Sequence, residues 1–292
     1  MKLLMENWRK FVNESEASDA FVKGQNLGLE PFTDLLKKIA SDPEFRKLAY
    51  AGQKDAAGSS DEAVSVDEGT PVAAKDLTPT QMDIDTKKSL GDQMTNKYNA
   101  TAYALEDTVT MPSPGGRIPL LVFENKYILD GHHRWSQVLM TNPDGMMTVS
   151  NLTSPAFGTG PQGAERALKA TQLGIAALAG NVVTKDTDIN LLTLSPKQLG
   201  KYVLENITDD VLQLLAQAGK IAKPDRQEAA KYYMSNLSAV QAKPPGAFRR
   251  VRGMPQADDS GVPQAQVNTA LKRGNINFHD PKSQDLKKAA EE

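Results

Sequence analysis

At 292 residues, with 39% hydrophobic and 24% charged residues and a formal charge of −2, the chain has material for one large domain or two ordinary ones. Without a net basic bias, any nucleic-acid or anionic-membrane surface has to be a local patch. The absence of cysteine excludes disulfides, thiolate zinc sites and cysteine nucleophiles. A mean hydropathy of −0.45 comes with no apolar run near the ~20 residues that a membrane helix needs.

The N-terminus, MKLLMENWRKFVNE, carries charges in its first turns and lacks an apolar h-region, so it does not read as a secretory signal. Leu4, Trp8, Phe11 and Val12 fall at helical spacing and predict an amphipathic helix over 1–16, either docked on the body or a detachable leader. Residues 33–50 predict two short helices. Leu35, Leu36 and Ile39 form one apolar face, and Ser41-Asp42-Pro43 restarts a helix carrying Phe45, Leu48 and Tyr50. The run AGQKDAAGSSDEAVSVDEGTPVAAK, residues 51–75, is small and acidic and has no aromatic residue. It predicts a flexible acidic linker between the N-terminal helices of 1–50 and a domain beginning at 76.

Residues 76–152 read as a small mixed sheet with helices. A charged helix runs through Leu90 and Met94, and Ile118–Phe123 is a buried-strand pattern. Glu124-Asn125-Lys126 makes a tight turn to a partner strand at Tyr127-Ile128-Leu129. After Asp130-Gly131 a helix forms around Trp135, Val138 and Leu139, and the turn Asn142-Pro143-Asp144-Gly145 leads to a last strand near Met146–Leu152. From 153 to 242 the pattern is α-helical: an Ala- and Leu-rich stretch at 164–179, a helix opened by Ser195-Pro196, one capped by Thr208, and one from Asp225 to Leu237. Residues 243–292 predict an extended tail with one short helix near Val267–Leu271. The fold class is α+β, a small mixed sheet with helices followed by an α-helical region.

The chemistry concentrates in Leu129-Asp130-Gly131-His132-His133-Arg134-Trp135. A strand ends there, glycine permits a sharp turn, and a helix begins whose N–H groups and positive dipole end favour an anion. Arg134 adds a forked, permanently charged donor suited to phosphate oxygens. His132 and His133 suit proton transfer near neutral pH, and Asp130 is a candidate base or metal-ion anchor. A capping reading competes, in which Asp130 caps the helix, Gly131 makes the turn and the histidines are surface residues. A metal site built on the histidines is not expected, because adjacent histidines project in different directions and the third histidine of the chain is the distant His279.

This segment resembles the Gly-x-x-Arg box of the ParB/sulfiredoxin superfamily, close to the form in its phage ParB-like nuclease-domain proteins and in archaeal free-serine kinases. Pro79-x-Gln81 is similar to the superfamily's first box, and the order and spacing of the two also correspond, over about 75 residues. Sulfiredoxins carry their reactive cysteine where His132 stands, so sulfinic-acid reduction is excluded. Chromosome-partitioning ParB proteins usually have Glu and Arg at the positions of His132 and His133, which tells against CTP-gated clamping.

The resemblance implies a phage-encoded protein that binds a nucleotide and hydrolyses or transfers its phosphoryl group, or cuts a phosphodiester. Gln81, Gly131, His132, His133 and Arg134 would hold phosphate, with Asp130, His132 or His133 as catalytic groups. ATP or another nucleotide would be the cofactor, with Mg2+ to neutralise a triphosphate. The alternative is a non-catalytic virion or scaffold protein using the fold as a binding module. MKLLMENWRKFVNE is similar to the leaders of internal head proteins of large tailed phages, with Leu4-Met5-Glu6 or Val12-Asn13-Glu14 as processing sites inside a leader at 1–14. These readings place the protein in the bacterial host cytoplasm or in the virion. Its partners would be nucleotide, DNA or phage head proteins, and no membrane. Arg249-Arg250-Val251-Arg252, with Lys272-Arg273, makes the tail locally basic, as a solvated tail or as a contact for nucleic acid or the acidic linker. Met111–Arg117 reads as a plain connection, because a strand and not a helix follows it.

Overall fold

The computed structural model describes residues 29–50, 64–113, 116–180, 187–242, 257 and 259–278. The leader at 1–14, the first part of the acidic run, the arginines at 249–252 and His279 lie outside the described residues.

The strands are β1 (Ser65–Ala73), β2 (Thr108–Val109), β3 (Pro112–Ser113), β4 (Gly116–Arg117), β5 (Leu120–Phe123), β6 (Tyr127–Asp130) and β7 (Met146–Thr153). β3 and β4 form a separate two-stranded ribbon; the other five make one mixed sheet in the order β1-β7-β5-β6, with β2 also on β7. β7 is the hub, antiparallel to β1 and parallel to β5 and β2. The Leu-Leu-Val-Phe run of β5 is buried at every position, as a strand covered on both faces must be. The tight turn into β6 has both central residues left-handed, Glu124 at φ 53 and Asn125 at φ 50, the twist that suits a hairpin.

The helices are α1 (Leu29–Ser41), α2 (Pro43–Ala49), α3 (Thr86–Thr95), α4 (Ala100–Ala104) and α5 (His132–Thr141). They continue as α6 (Gly160–Ala179), α7 (Pro196–Asn206), α8 (Asp209–Gln217), α9 (Arg226–Gln241) and α10 (Gln264–Lys272). The fold is therefore α+β. Strand alternation sorts the core into two layers. Leu120, Val122, Ile128 and Val149 face α3, α5, α7, α8 and α9, whereas Leu121, Phe123, Leu129 and Leu152 face α1, α2, α6 and α10. Helices on both sides of 76–152 thus share a core with its strands.

Local signals explain several helix starts. The Asp42 carboxylate accepts from Glu44 N at 2.9 Å, Ser195 and Gln198 form a capping box, and Asp225 accepts from Gln227 N and Glu228 N at 3.0 Å. Thr208 departs from expectation. It occupies the N-cap of α8 but makes no side-chain cap; its hydroxyl donates instead to Met94 O at 3.2 Å, tying α8 to the end of α3.

The linker expected at 51–75 is corrected over its second half, because residues 65–73 are β1, paired with the whole length of β7. Composition hid it: β1 is an edge strand, mostly exposed, so it needs few apolar residues. Its alternation is also broken by a bulge between Glu68 and Thr70, at Gly69 with φ 88. Val64 and Val66 consequently face the α6 side, while Val72 and Ala74 face the α5 side. The tail is corrected likewise. The helix expected near Val267–Leu271 exists as α10, but it is docked, with Val267, Ala270 and Leu271 buried against the α6 side of the core.

Between α5 and α9, Tyr233 is fully buried, its hydroxyl 3.5 Å from Thr141 Oγ1. Burial pushes this phenol far above its ordinary value, and burial also raises Tyr232 and Tyr202. A phenol whose proton is held more tightly in the fold stabilises fully below its unfolded value near 10 and loses that contribution as pH rises towards the folded value. Alkaline unfolding should begin above about pH 10 and shift upward in Tyr233→Phe. Absorbance titration with circular dichroism would show it; an unchanged alkaline midpoint would remove Tyr233 as the cause.

Candidate phosphate site

The turn from β6 into α5 is built by Gly131, whose φ of 98 favours glycine. A Cβ there would lie 2.5 Å from Leu120 Cδ2 and 2.8 Å from Arg134 Nη2, so neither the backbone nor the space admits a side chain. Gly131 is the N-cap of α5, hence no side chain at that position caps the helix. Trp135 anchors the helix below the turn: it is fully buried, and its Nε1 donates to Ala74 O at 2.8 Å.

Both histidine rings turn towards the 80–85 segment, His132 buried and His133 half-buried. His132 is 2% exposed, and its Nε2 accepts from Thr80 N at 3.0 Å and Gln81 N at 3.1 Å, with Thr80 Oγ1 at 3.2 Å. A ring that accepts at Nε2 carries its proton on Nδ1. His133 Nε2 accepts from Asp85 N at 3.2 Å, and the Asp85 carboxylate in turn caps α3 by accepting from Lys88 N at 2.8 Å. Each ring therefore clips a main-chain segment of 80–85 to α5. In this conformation neither Nε2 lone pair is open for proton abstraction.

Arg134 is also drawn in, at 7% exposed. Its Nη1 donates to Ile118 O and, at 3.4 Å, to Pro119 O; its Nη2 donates to Gln264 Oε1 at 2.8 Å. Asp130 Oδ2 lies 3.6 Å from Nη2, with the carboxylate side chain 14% exposed. Gln81 is half-buried, and its main chain is joined to the turn through His132. The sequence-predicted residues Gln81, Asp130, Gly131, His132, His133 and Arg134 are thus brought to one end of the sheet.

Three participants carried no signal in the sequence. Gln264, the first residue of α10, is 2% exposed and holds both Arg134 and, through Nε2 at 3.3 Å, Pro119 O. Lys88 on α3 pairs with Asp259 at 2.9 Å. Asn190 accepts from Ile84 N at 3.1 Å and donates to Asp83 Oδ1 at 2.7 Å, fixing the 82–85 loop. Among the described residues no cluster of three or more His, Cys, Asp or Glu is arranged to hold a metal ion, and no helix is long and apolar enough to cross a membrane.

Family models, curated proteins and solved structures gave no match to this chain. The likeness to the ParB/sulfiredoxin superfamily accordingly rests on the Pro79–Gln81 and Asp130–Arg134 segments alone.

Proposed function

We propose that this chain binds a phosphate-bearing ligand, a nucleotide, at the turn between β6 and α5. One observation carries the reading: Gln81 and the Gly131–Arg134 turn, 51 positions apart at their closest link, meet through His132 at the start of a helix. A helix start with a glycine N-cap and an arginine in its first turn is suited to an anion. Arg134 and the N–H groups at the start of α5 would hold phosphate, and Gln81 would position the remainder of the ligand.

Binding is favoured over turnover, since the histidine Nε2 atoms accept main-chain N–H groups. For NTP hydrolysis, phosphoryl transfer or phosphodiester cleavage, Asp130 is the group of the turn left to take a proton. Mg2+ would be held mainly by the ligand's own phosphates, with Asp130 as the one carboxylate of the turn. The ParB-like, DNA-binding and phage assignments share this footing. The virion alternative depends on residues 1–14.

Calorimetric titration with ATP, CTP, GTP and ADP, with and without Mg2+, tests the reading. One nucleotide should give saturable heat, and inorganic pyrophosphate should compete with it. A folded protein that binds neither nucleotides nor pyrophosphate at millimolar concentration would remove the proposal.

A further inference from the structure

The residues just before α10 lie across this site. Ser260 N and Val262 N both donate to Ala257 O, at 3.1 and 3.0 Å, and Gly261 turns the chain at φ 71. This tight loop presents Asp259 to Lys88, whose Nζ meets both carboxylate oxygens at 3.1 and 2.9 Å. Five residues on, Gln264 gives its amide oxygen to Arg134. The same short segment therefore supplies an acceptor to each of two cations. Oxygens of a phosphate are acceptors of the same kind, with more charge.

Both cations are tied to one short segment, at Asp259 and Gln264, and the Lys88 backbone lies against α5. Gln137 Nε2 donates to Lys88 O at 3.2 Å, and Ser136 Oγ donates to Ser89 Oγ at 2.9 Å, so Lys88 packs beside α5. Gln137 stands one helical turn after Arg134, a rise of about 5 Å. Linked phosphate groups offer acceptor oxygens from two centres, as the segment does at Asp259 and Gln264; a single phosphate offers them from one.

The segment is held unevenly. α10 is rooted by Val267, Ala270 and Leu271, and Ile276 beyond it is fully buried as well. Ahead of α10, the buried apolar anchors among the described residues of the segment are Ala257 and Val262, and its polar attachments include those to Lys88, Arg134 and Pro119. Polar attachments can be exchanged for those of a ligand; buried leucines cannot.

We infer that residues 259–264 form a displaceable strap, and that a ligand with two or more linked phosphates takes Arg134 from Gln264 and Lys88 from Asp259. The inference rests on the phosphate-site reading above and adds a ligand class, a second cationic contact at Lys88, and a built-in competitor. A closed strap lowers apparent affinity by the fraction of time that the site is covered.

Inorganic pyrophosphate is the probe, titrated into the full chain and into Asp259→Asn, Gln264→Ala and the double variant. The double variant should bind about fivefold tighter or more, and orthophosphate should gain less. In the unmodified protein, pyrophosphate should reduce hydrogen-exchange protection of the Ser260 and Val262 amides while leaving those of 267–271 protected. This second readout decides the matter if a variant fails to fold. Pyrophosphate binding with equal or weaker affinity in the folded variants, or without loss of protection at Ser260 and Val262, overturns the strap and leaves the site standing. No binding to any of the four proteins overturns both.

Discussion

His132→Ala should cost roughly 3–5 kcal/mol and lower the melting temperature by about 10 °C. The ring is 2% exposed, and its Nε2 is the acceptor for Thr80 N and Gln81 N. Alanine leaves those N–H groups without that acceptor and opens a cavity between α5 and the 80–85 segment. Each buried donor stripped of its partner costs about 1–3 kcal/mol, and the missing ring adds a packing loss. His132→Gln supplies an amide oxygen near the same place and should recover part of the deficit. A histidine facing solvent in wait of a proton behaves otherwise: its alanine variant melts close to the parent. Thermal melts of the three proteins separate the cases, and an alanine variant within 2 °C or so of the parent would refute the clasp.

That inward turn was not legible in the sequence. Asp-Gly-His-His-Arg shows that a strand gives way to a helix at a glycine, and the structure has β6, a left-handed Gly131 and α5 in that order. Where each side chain points depends on what packs over the helix. The acceptors and donors here come from residues 80–85, 118–119 and 264, at separations of up to 130 positions. No local pattern encodes partners so remote. The hairpin at 120–130 and the helix starts at Ser195 and Asp225 were legible because each is made by residues within a few positions of one another.

β1 shows a different reason for failure. Its apolar residues are few, and the bulge at Gly69 puts Val66 and Val72 on opposite faces although their even spacing suggests one. Acidic residues and Pro71 along the strand, which looked like linker composition, are the features that protect an exposed edge from further pairing. Thr208 repeats the lesson on a smaller scale. Its position at the N-cap was readable, but its hydroxyl goes to Met94 O, a partner supplied by tertiary packing.

Arg134→Ala should abolish pyrophosphate and nucleotide binding and also destabilise the fold by about 2–4 kcal/mol. The stability loss follows from what the guanidinium holds: the carbonyls of Ile118 and Pro119 ahead of β5, Gln264 at the start of α10, and the Asp130 carboxylate at 3.6 Å. Removing it strands a largely buried carboxylate and cuts one of the ties between α10 and the sheet. The binding loss follows from charge, because charge-assisted bonds to phosphate are worth roughly 1.5–3 kcal/mol each, so affinity should fall more than tenfold. Arg134→Lys separates the two effects. Lysine keeps the positive charge beside Asp130 but has no fork to span Ile118 O and Gln264. It should regain part of the stability and part of the affinity, and its strap should be looser. If Arg134 is purely a structural tie, both variants lose stability while the folded fraction binds pyrophosphate as the parent does. Titrations at low temperature, where all three proteins are folded, decide between these outcomes. Parental affinity in folded Arg134→Ala would end the phosphate-site reading, because no other arginine lies in the Gly131–Arg134 turn to take its place.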